Sequence, residues 1–243
     1  MRATPAVMTC RRKRGRLAYT ILCATGLAAE AKIARAAGLS AVVGAGDHHR
    51  TVRIVEQAAP AAECLVSFGI AGGLSPDLKP GDIVLSSEVI DGDRRWVGGD
   101  SLRAQIDELV GRIGAVEGAV LGAQTVIAGE RDKRRAWQET GAIAVDLESA
   151  AVARAGAALG IPFIVLRAIA DPAARDLPPA ALAPLRDDGT PSLGRVVRSV
   201  MRRPRQLPTL FAVAREARQA LAALVDPAHA LRSVLGGAGS PAG

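Results

Sequence analysis

Two carboxylates carry the first chemical signal in this chain. In "IAVDLESAAVARAGAALGIPFIVLRAIAD", residues 143–171, Glu148 follows one short apolar run and Asp171 closes a longer one. Ile143 to Val145 reads as a strand. "SAAVARAGAALG" reads as an alanine-rich helix that Gly160 closes and Pro162 forbids from continuing. "FIVLRAIA" is a second strand, apolar on both faces as strands of a covered parallel sheet are. Ligands of such sheets collect outside the carboxyl ends of the strands. Glu148 and Asp171 both lie at that edge, so two acids from neighbouring strands are expected to face one pocket. Positioned carboxyl groups serve acid catalysis and the stabilisation of positive charge.

The elements that must hold these acids begin near the start of the chain. "RRKRGR" followed by "LAYTILCATGLAA" has the form of a secretory signal with Ala29 and Ala31 at its cleavage site. The competing reading makes residues 1–16 a disordered basic lead-in and Leu17 to Ala24 the first buried strand. The βαβ pattern that follows favours the strand. "LAAEAKIARAAG" then has helical spacing, stops at Gly38, and puts Glu30 in its first turn. A surface glutamate favoured by the helix dipole is the plain alternative for Glu30.

Two glycine turns come next. Gly44-Ala45-Gly46 precedes a helix that Asp47 can cap, and His48, His49 and Arg50 stand where a phosphate could be reached. Solvated polar residues in a first helical turn are the alternative. In "ECLVSFGIAGGLSPDLKPGDIVLSSEVID", Cys64 to Phe68 is a strand and Gly69 to Gly73 turns tightly. Glycines so placed let backbone pass close to a ligand or to a neighbouring strand. Residues 91–113 read as a polar strand or loop holding Trp96, then a helix from Ser101 to Ile113. Val116 to Ala128 contains a strand ending at Gly129, and 130–141 reads as a charged loop entering a short helix with Trp137.

Beyond Asp171 a proline-rich stretch without periodicity runs to Gly194, the form of an active-site cover or a linker. Two helices are expected at about 192–203 and 206–225. On the first, Leu193, Val196, Val197 and Val200 form an apolar stripe, with Arg195, Arg198, Arg202 and Arg203 elsewhere. Docking on the body is the usual meaning of such a stripe, and an interfacial helix the other. The chain ends in a tail, 236–243.

Composition sets the frame. The 243 residues are 49% apolar but only 2% aromatic, enough for one α/β core packed by aliphatics. No apolar run approaches the ~20 residues a membrane-spanning helix needs. Cys10, Cys23 and Cys64 match no metal-ligand spacing and no disulfide framework, which points to a reducing cytoplasm. The net charge of +7 is uneven, with six basic groups and no acid in residues 1–16 and a balance of +6 over 192–243. The body between is therefore acidic, which argues against a nucleic-acid-binding core. Basic ends fit either simple solubility or contact with an anionic membrane surface.

"FGIAGGLSPDLKPGDIVLSSEV" and "AVDLESAAVARAGAALGIPFIVLRAIAD" resemble the two signature regions of the nucleoside phosphorylase and nucleosidase superfamily, and within it the methylthioadenosine/adenosylhomocysteine nucleosidases. The later motifs "DPAARDLPPAAL", "DDGTPSLGRVV" and "RRPRQLPTL" resemble the hopanoid-associated branch, linked to removing adenine from adenosylhopane. The resemblance implies that Glu148 binds the ribose 2′- and 3′-hydroxyls, with the apolar Leu147 beside it under the sugar. It implies that Asp171 protonates purine N7 as the bond breaks, and that Ile70, Ala71 and Gly72 lie near sugar and base. Glu30 falls near the glutamate that activates water. Phosphorylases of the family carry an arginine and a serine or threonine where this chain has Ser67 and Ile70, so water is favoured over phosphate as nucleophile. Gly44, Gly46 and Arg50 are the remaining candidates for phosphate. Ala170 replaces the serine that precedes the family's aspartate, removing an orienting hydrogen bond.

The expectation is a single α/β domain (17–191), with a central mixed β-sheet flanked by helices, and a helical C-terminal extension (192–235) packed on the domain or at the membrane surface. The implied activity is cleavage of an adenine nucleoside, most specifically adenosylhopane, with no metal or organic cofactor and phosphate only as a co-substrate. The alternatives are a soluble methylthioadenosine/adenosylhomocysteine nucleosidase and a non-catalytic nucleoside-binding protein. Relatives of this kind pair, so a homo-oligomer in the cytoplasm or at the inner membrane is expected.

Overall fold

The computed structural model describes residues 19–98 and 100–236. The expected basic lead-in, Leu17 and the tail beyond Gly236 lie outside the described residues. The chain opens with β1 (Ile21–Thr25), α1 (Ala28–Ala36), β2 (Ser40–Val43), α2 (His48–Ala58) and the long β3 (Cys64–Gly73). β1 pairs in parallel with β2 on one side and with β3 on the other. The first strand is thus the buried apolar run "ILCAT", starting four residues after Leu17.

Next come β4 (Ile83–Ser86), β5 (Glu88–Asp91), β6 (Arg94–Val97), α3 (Arg103–Ile113), β7 (Val116–Glu117) and β8 (Val120–Gly122). The stretch 116–128 holds two short strands, and the second ends at Gly122 rather than at Gly129. β7 joins β4 while β8 joins β5, so the two pieces belong to different neighbours. α4 (Glu130–Thr140) follows, a full helix in place of the expected loop at its start. It lacks an apolar stripe, but Glu130–Arg134 and Arg135–Glu139 pair at four-residue spacing, and Gly141 closes it in the left-handed region at φ 73°.

β9 (Ala144–Asp146), α5 (Ser149–Leu159) and β10 (Phe163–Asp171) form the expected strand–helix–strand unit. The ten strands make one mixed sheet, antiparallel at β10–β4, β3–β9 and β5–β6 and parallel elsewhere. β9 and β10 are neither neighbours nor parallel, contrary to the expectation from sequence: β9 runs against β3 and β10, so the two acids do not share one carboxyl edge of a parallel sheet. β3 lies between them, with Gly72 opposite Val145 on one side and Asp171 on the other.

The sheet divides the core in two. Along β10, Ile164, Leu166, Ala168 and Ala170 face one cluster; Phe163, Val165 and Ile169 face the other. Arg167 shares the parity of the second set, which places it on the α5 side with Val152 and Ala153. After an irregular stretch come α6 (Leu193–Arg202), α7 (Leu207–Ala223) and α8 (Val225–Leu235). The long second helix expected from sequence ends at Ala223, and α8 follows as a separate element. Ala220, Leu224, Leu231 and Val234 sit in the first core cluster, so α7 and α8 pack on the body. α6 has no buried residue and is only partly covered along one side.

Candidate active site

Three acidic side chains from three separate segments open into one cavity of about 690 Å³ where the ends of the central strands β3, β9 and β10 meet. Glu30 arrives on the first turn of α1, Glu148 two residues past β9, and Asp171 as the last residue of β10. Each is at least nine-tenths buried within its surroundings. Ile70, Ala71, Gly72 and Leu147 line the same cavity.

Glycines make room for all three carboxylates. A Cβ on Gly26 would stand 2.7 Å from Glu148 Oε1, and one on Gly72 would stand 3.3 Å from Asp171 Oδ2. A Cβ on Gly69 would run into the Glu30 carboxylate, and Gly69 has φ 151° besides. The expected tight turn at Gly69–Gly73 is instead the end of β3, and that extended glycine-rich strand end runs close to the Glu30 and Asp171 carboxylates.

Glu30 is gripped by backbone. Oε2 accepts from the N–H groups of Gly26 and Leu27, each at 2.8 Å, and Oε1 accepts from Ile70 N–H at 2.8 Å. Three donors leave one lone pair of Oε1 for a guest. Burial raises the Glu30 pKa against the pull of Arg167 and of those backbone donors.

Glu148 meets Arg167, an element of the site that sequence reasoning passed over. Arg167 is fully buried on β10. Its Nη2 donates to Glu148 Oε2 at 3.0 Å and to Ser67 Oγ at 2.5 Å, and its Nη1 donates to the Ile70 carbonyl at 3.2 Å. Its Nε lies 2.7 Å from Asp146 Oδ2. Asp146 in turn accepts from the N–H groups of Glu148 and Ser149, and from the Ser149 hydroxyl, capping α5. One guanidinium thus serves Asp146 and Glu148 directly and lies within electrostatic reach of Glu30. Burial, then the charges of Asp146 and Glu30, push the Glu148 carboxyl up to about 7 against the pull of Arg167.

Asp171 has a different partner. A register shift between Ile169 and Asp171 swings the end of β10 at Ala170. There Lys133, fully buried on α4, donates to Asp171 Oδ2 and also to the carbonyls of Pro172 at 3.1 Å and Arg175 at 3.0 Å. The hydrogen bond to the Asp171 carboxylate thus comes from a lysine side chain, with Ala170 offering none. Burial raises the Asp171 pKa, with Lys133 and Arg175 opposing and Glu216 adding to the rise.

The cover is the irregular stretch after β10, whose Leu177 and residues 181–187 form the outer wall. Gly46 and Arg50 line the cavity near that wall, but Gly44 does not; it packs on Thr51. Asp47 caps α2 through Arg50 N–H at 2.8 Å, and the Arg50 guanidinium faces Asp187 at 3.6 Å. Among the described residues no group of three or more His, Cys, Asp or Glu side chains is arranged to hold a metal ion.

Arg167 had a readable signal, since one charge inside a strand apolar on both faces must find buried partners. Lys133 had none, standing in "ERDKRRAW" among five other charged residues.

A family profile described as "Phosphorylase superfamily" matches residues 40–187. The chain is 29% identical over 147 residues to a 5′-methylthioadenosine/S-adenosylhomocysteine nucleosidase of Anoxybacillus flavithermus, a match covering 52% of this chain and 62% of that relative. In fold it is similar to the 5′-methylthioadenosine/S-adenosylhomocysteine nucleosidase of Neisseria meningitidis in complex with methylthio-immucillin-A (TM-score 0.63, 17% identity, covering 89% of this chain and 98% of the other). It is similarly related to the futalosine hydrolase of Helicobacter pylori (TM-score 0.59, 18% identity, covering 75% and 97%).

Proposed function

The chain belongs to the phosphorylase superfamily, and on that premise we propose that it breaks the N-glycosidic bond of an adenine nucleoside. The observation that carries this reading is the cavity floor, where Glu30, Asp146 and Glu148 surround a single buried guanidinium. Carboxylates in excess over cations, shielded from water, favour a guest that becomes positive. A ribose ring losing its base does so.

In this reading Glu148 accepts hydrogen bonds from the sugar diol while Leu147 packs beside it. The C1′–N9 bond breaks and its electron pair passes into the purine. Asp171, as the carboxylic acid, gives its proton to N7. A water held on the free lone pair of Glu30 attacks C1′ and yields its proton to that carboxylate. The products are adenine and a ribose bearing a new hydroxyl. Positioned acid catalysis of this kind contributes roughly 10²–10⁴-fold. Water is preferred to phosphate because Ser67 is engaged with Arg167 and Ser149, and Arg167 is itself held by two acids.

The substrate we favour is an adenosyl lipid, adenosylhopane, on two grounds. The segment after Asp171 resembles the hopanoid-associated branch, and the outer wall it builds offers Leu177, Leu182, Pro184 and Leu185 to a 5′ substituent.

Purified protein incubated with adenosylhopane and, separately, with methylthioadenosine, each with and without phosphate, tests the reading by product mass. Adenine and a free ribosyl product from the lipid are expected, lost in Asp171→Asn. Faster turnover of methylthioadenosine would reassign the substrate, and a ribose 1-phosphate product would reassign the nucleophile. Full activity in Asp171→Asn, or nucleoside binding with no adenine released, would overturn the mechanism.

A further inference from the structure

α6 is the one helix of the C-terminal extension that buries nothing, and its surface has two distinct ridges. Leu193, Val197 and Met201 stand four residues apart on one ridge and are 70%, 56% and 79% exposed. Arg198 and Arg202 form the adjoining ridge, about 100° round the helix. Val196, Ser199 and Val200 on the other side are partly covered, so the helix leans on the protein by that edge and presents apolar and basic ridges outward. One short turn later α7 begins with Leu207 and Phe211, again four apart and exposed. Five of the eleven exposed large apolar side chains among the described residues fall in this span.

The charges here are all of one sign. From Gly189 to Arg215 there are six arginines and no acid. Arg103, Arg134, Arg135, Arg154 and Arg175 pair with carboxylates on other surfaces, where acids and bases are interspersed. No ion pair within the described residues engages Arg195, Arg198, Arg202, Arg203 or Arg205.

We propose that α6 and the start of α7 form a docking surface for an anionic lipid bilayer, with the Leu193–Val197–Met201 ridge and Phe211 entering the headgroup–acyl boundary and the arginines meeting lipid phosphates. Apolar and basic ridges side by side are what an interfacial helix requires. A second copy of this chain fits poorly, because a self-complementary contact would bring unpaired arginines against their own kind. Among the described residues no helix is long and apolar enough to cross a membrane, so the contact is peripheral.

The surface is tied to the cavity. Gln206, buried between α6 and α7, donates to the Ser199 carbonyl at 2.8 Å and accepts from Ala180 N–H at 2.9 Å. Ala180 immediately precedes the wall formed by residues 181–187. Docking through α6 therefore places the cavity cover near the lipid. The docking stands whether or not the nucleoside is lipid-linked.

Flotation of the full chain with phosphatidylglycerol–phosphatidylcholine vesicles, against pure phosphatidylcholine vesicles, tests the proposal. Binding to the anionic vesicles alone, weakened by salt, is expected. Val197→Asp/Met201→Asp and Arg198→Glu/Arg202→Glu should each lower the vesicle affinity by about tenfold or more. The substituted side chains are exposed, and unchanged thermal melting with unchanged turnover of methylthioadenosine would show that fold and site are intact. Absence of binding, equal binding to neutral vesicles, or full binding by both variants would overturn it. The last of these outcomes would assign the contact to the basic N-terminal residues. A native oligomer that dissociates on Val197→Asp/Met201→Asp, without vesicle binding, would overturn it in favour of a self-interface.

Discussion

The ammonium of Lys133, on a helix, is buried against the carboxylate of Asp171 at the end of a strand that the helix does not adjoin in sequence. Its other two protons go to the carbonyls of Pro172 and Arg175. Three bonds thereby fix where β10 ends and how Asp171 faces the cavity. The ammonium also opposes the effect of burial on Asp171, restraining the rise of its pKa.

Lys133→Met should act in two separable ways. Removing a charged hydrogen bond to the acid is expected to lower kcat about ten- to a hundredfold. Without the ammonium the Asp171 pKa rises further, so the alkaline limb of the pH–rate profile, where the acid loses its proton, moves to higher pH. Arg175 and Glu216 face the same carboxylate and remain, so the displacement reports Lys133 alone. The orphaned carbonyls cost about 1–3 kcal/mol of stability, readable as a lower melting temperature. A drop in melting temperature with no movement of the pH limb would reduce Lys133 to a structural role.

The contrast between Lys133 and Arg167 shows where sequence reading stops. The positions of Glu148 and Asp171 at strand ends follow from local apolar runs, and Gly160 and Pro162 punctuate the helix between them as written. Arg167 is conspicuous inside "FIVLRAIA", yet which acids it serves depends on strand order, and β3 between β9 and β10 is a long-range outcome. Lys133 is hidden because a charged helix without an apolar stripe looks solvated along its whole length, and only tertiary packing singles out one lysine. The stripe on α6 was legible, but whether it faced the body was not: periodicity reports that a face is apolar, not what covers it.

Glu148 predicts opposite pH trends for binding and stability. Its carboxyl ordinarily titrates near 4.5 and in the folded protein is pushed up to about 7. A raised acid pKa means the native state holds the proton more tightly than the unfolded chain, so this contribution to stability is full below the unfolded value and is lost as pH rises through the folded one. Glu148→Gln should therefore gain on the native protein in melting temperature as pH climbs across that interval. Binding of a diol needs the carboxylate, so KM of the native enzyme should rise as pH falls below about 7, and KM of Glu148→Gln should be high and flat. A KM of the native protein that is flat with pH would disconnect Glu148 from the sugar.

Gly69 and Gly92 form a matched pair of substitutions. Gly92 has φ 59°, and a Cβ there would meet nothing within 4 Å, so Gly92→Ala is expected to cost only the backbone strain, about 1 kcal/mol, and no activity. Gly69→Ala adds a collision with the Glu30 carboxylate to its own positive φ. It should lower stability by about 1–3 kcal/mol and displace Glu30 from the Ile70 N–H, reducing turnover well beyond the effect of Gly92→Ala. Denaturant unfolding and single-turnover adenine release on both variants make the comparison.

In the proposed reaction Glu30 is the group that selects the nucleophile. Its carboxylate takes three backbone N–H groups and keeps one lone pair for water, an arrangement that an amide cannot copy because its NH₂ would have to face one of those donors. Glu30→Gln is therefore expected to lose about 10²–10⁴-fold in kcat while still binding adenine nucleosides, since Glu148 and Asp171 are untouched. If water is the nucleophile, phosphate leaves both the native rate and the products unchanged, and a solvent labelled with heavy oxygen places the label on C1′ of the ribosyl product. A native rate that climbs with phosphate while Glu30→Gln keeps pace with it would instead make phosphate the nucleophile. Glu30 would then be a structural clamp joining α1 to β3, and its loss would appear in the melting temperature rather than in turnover.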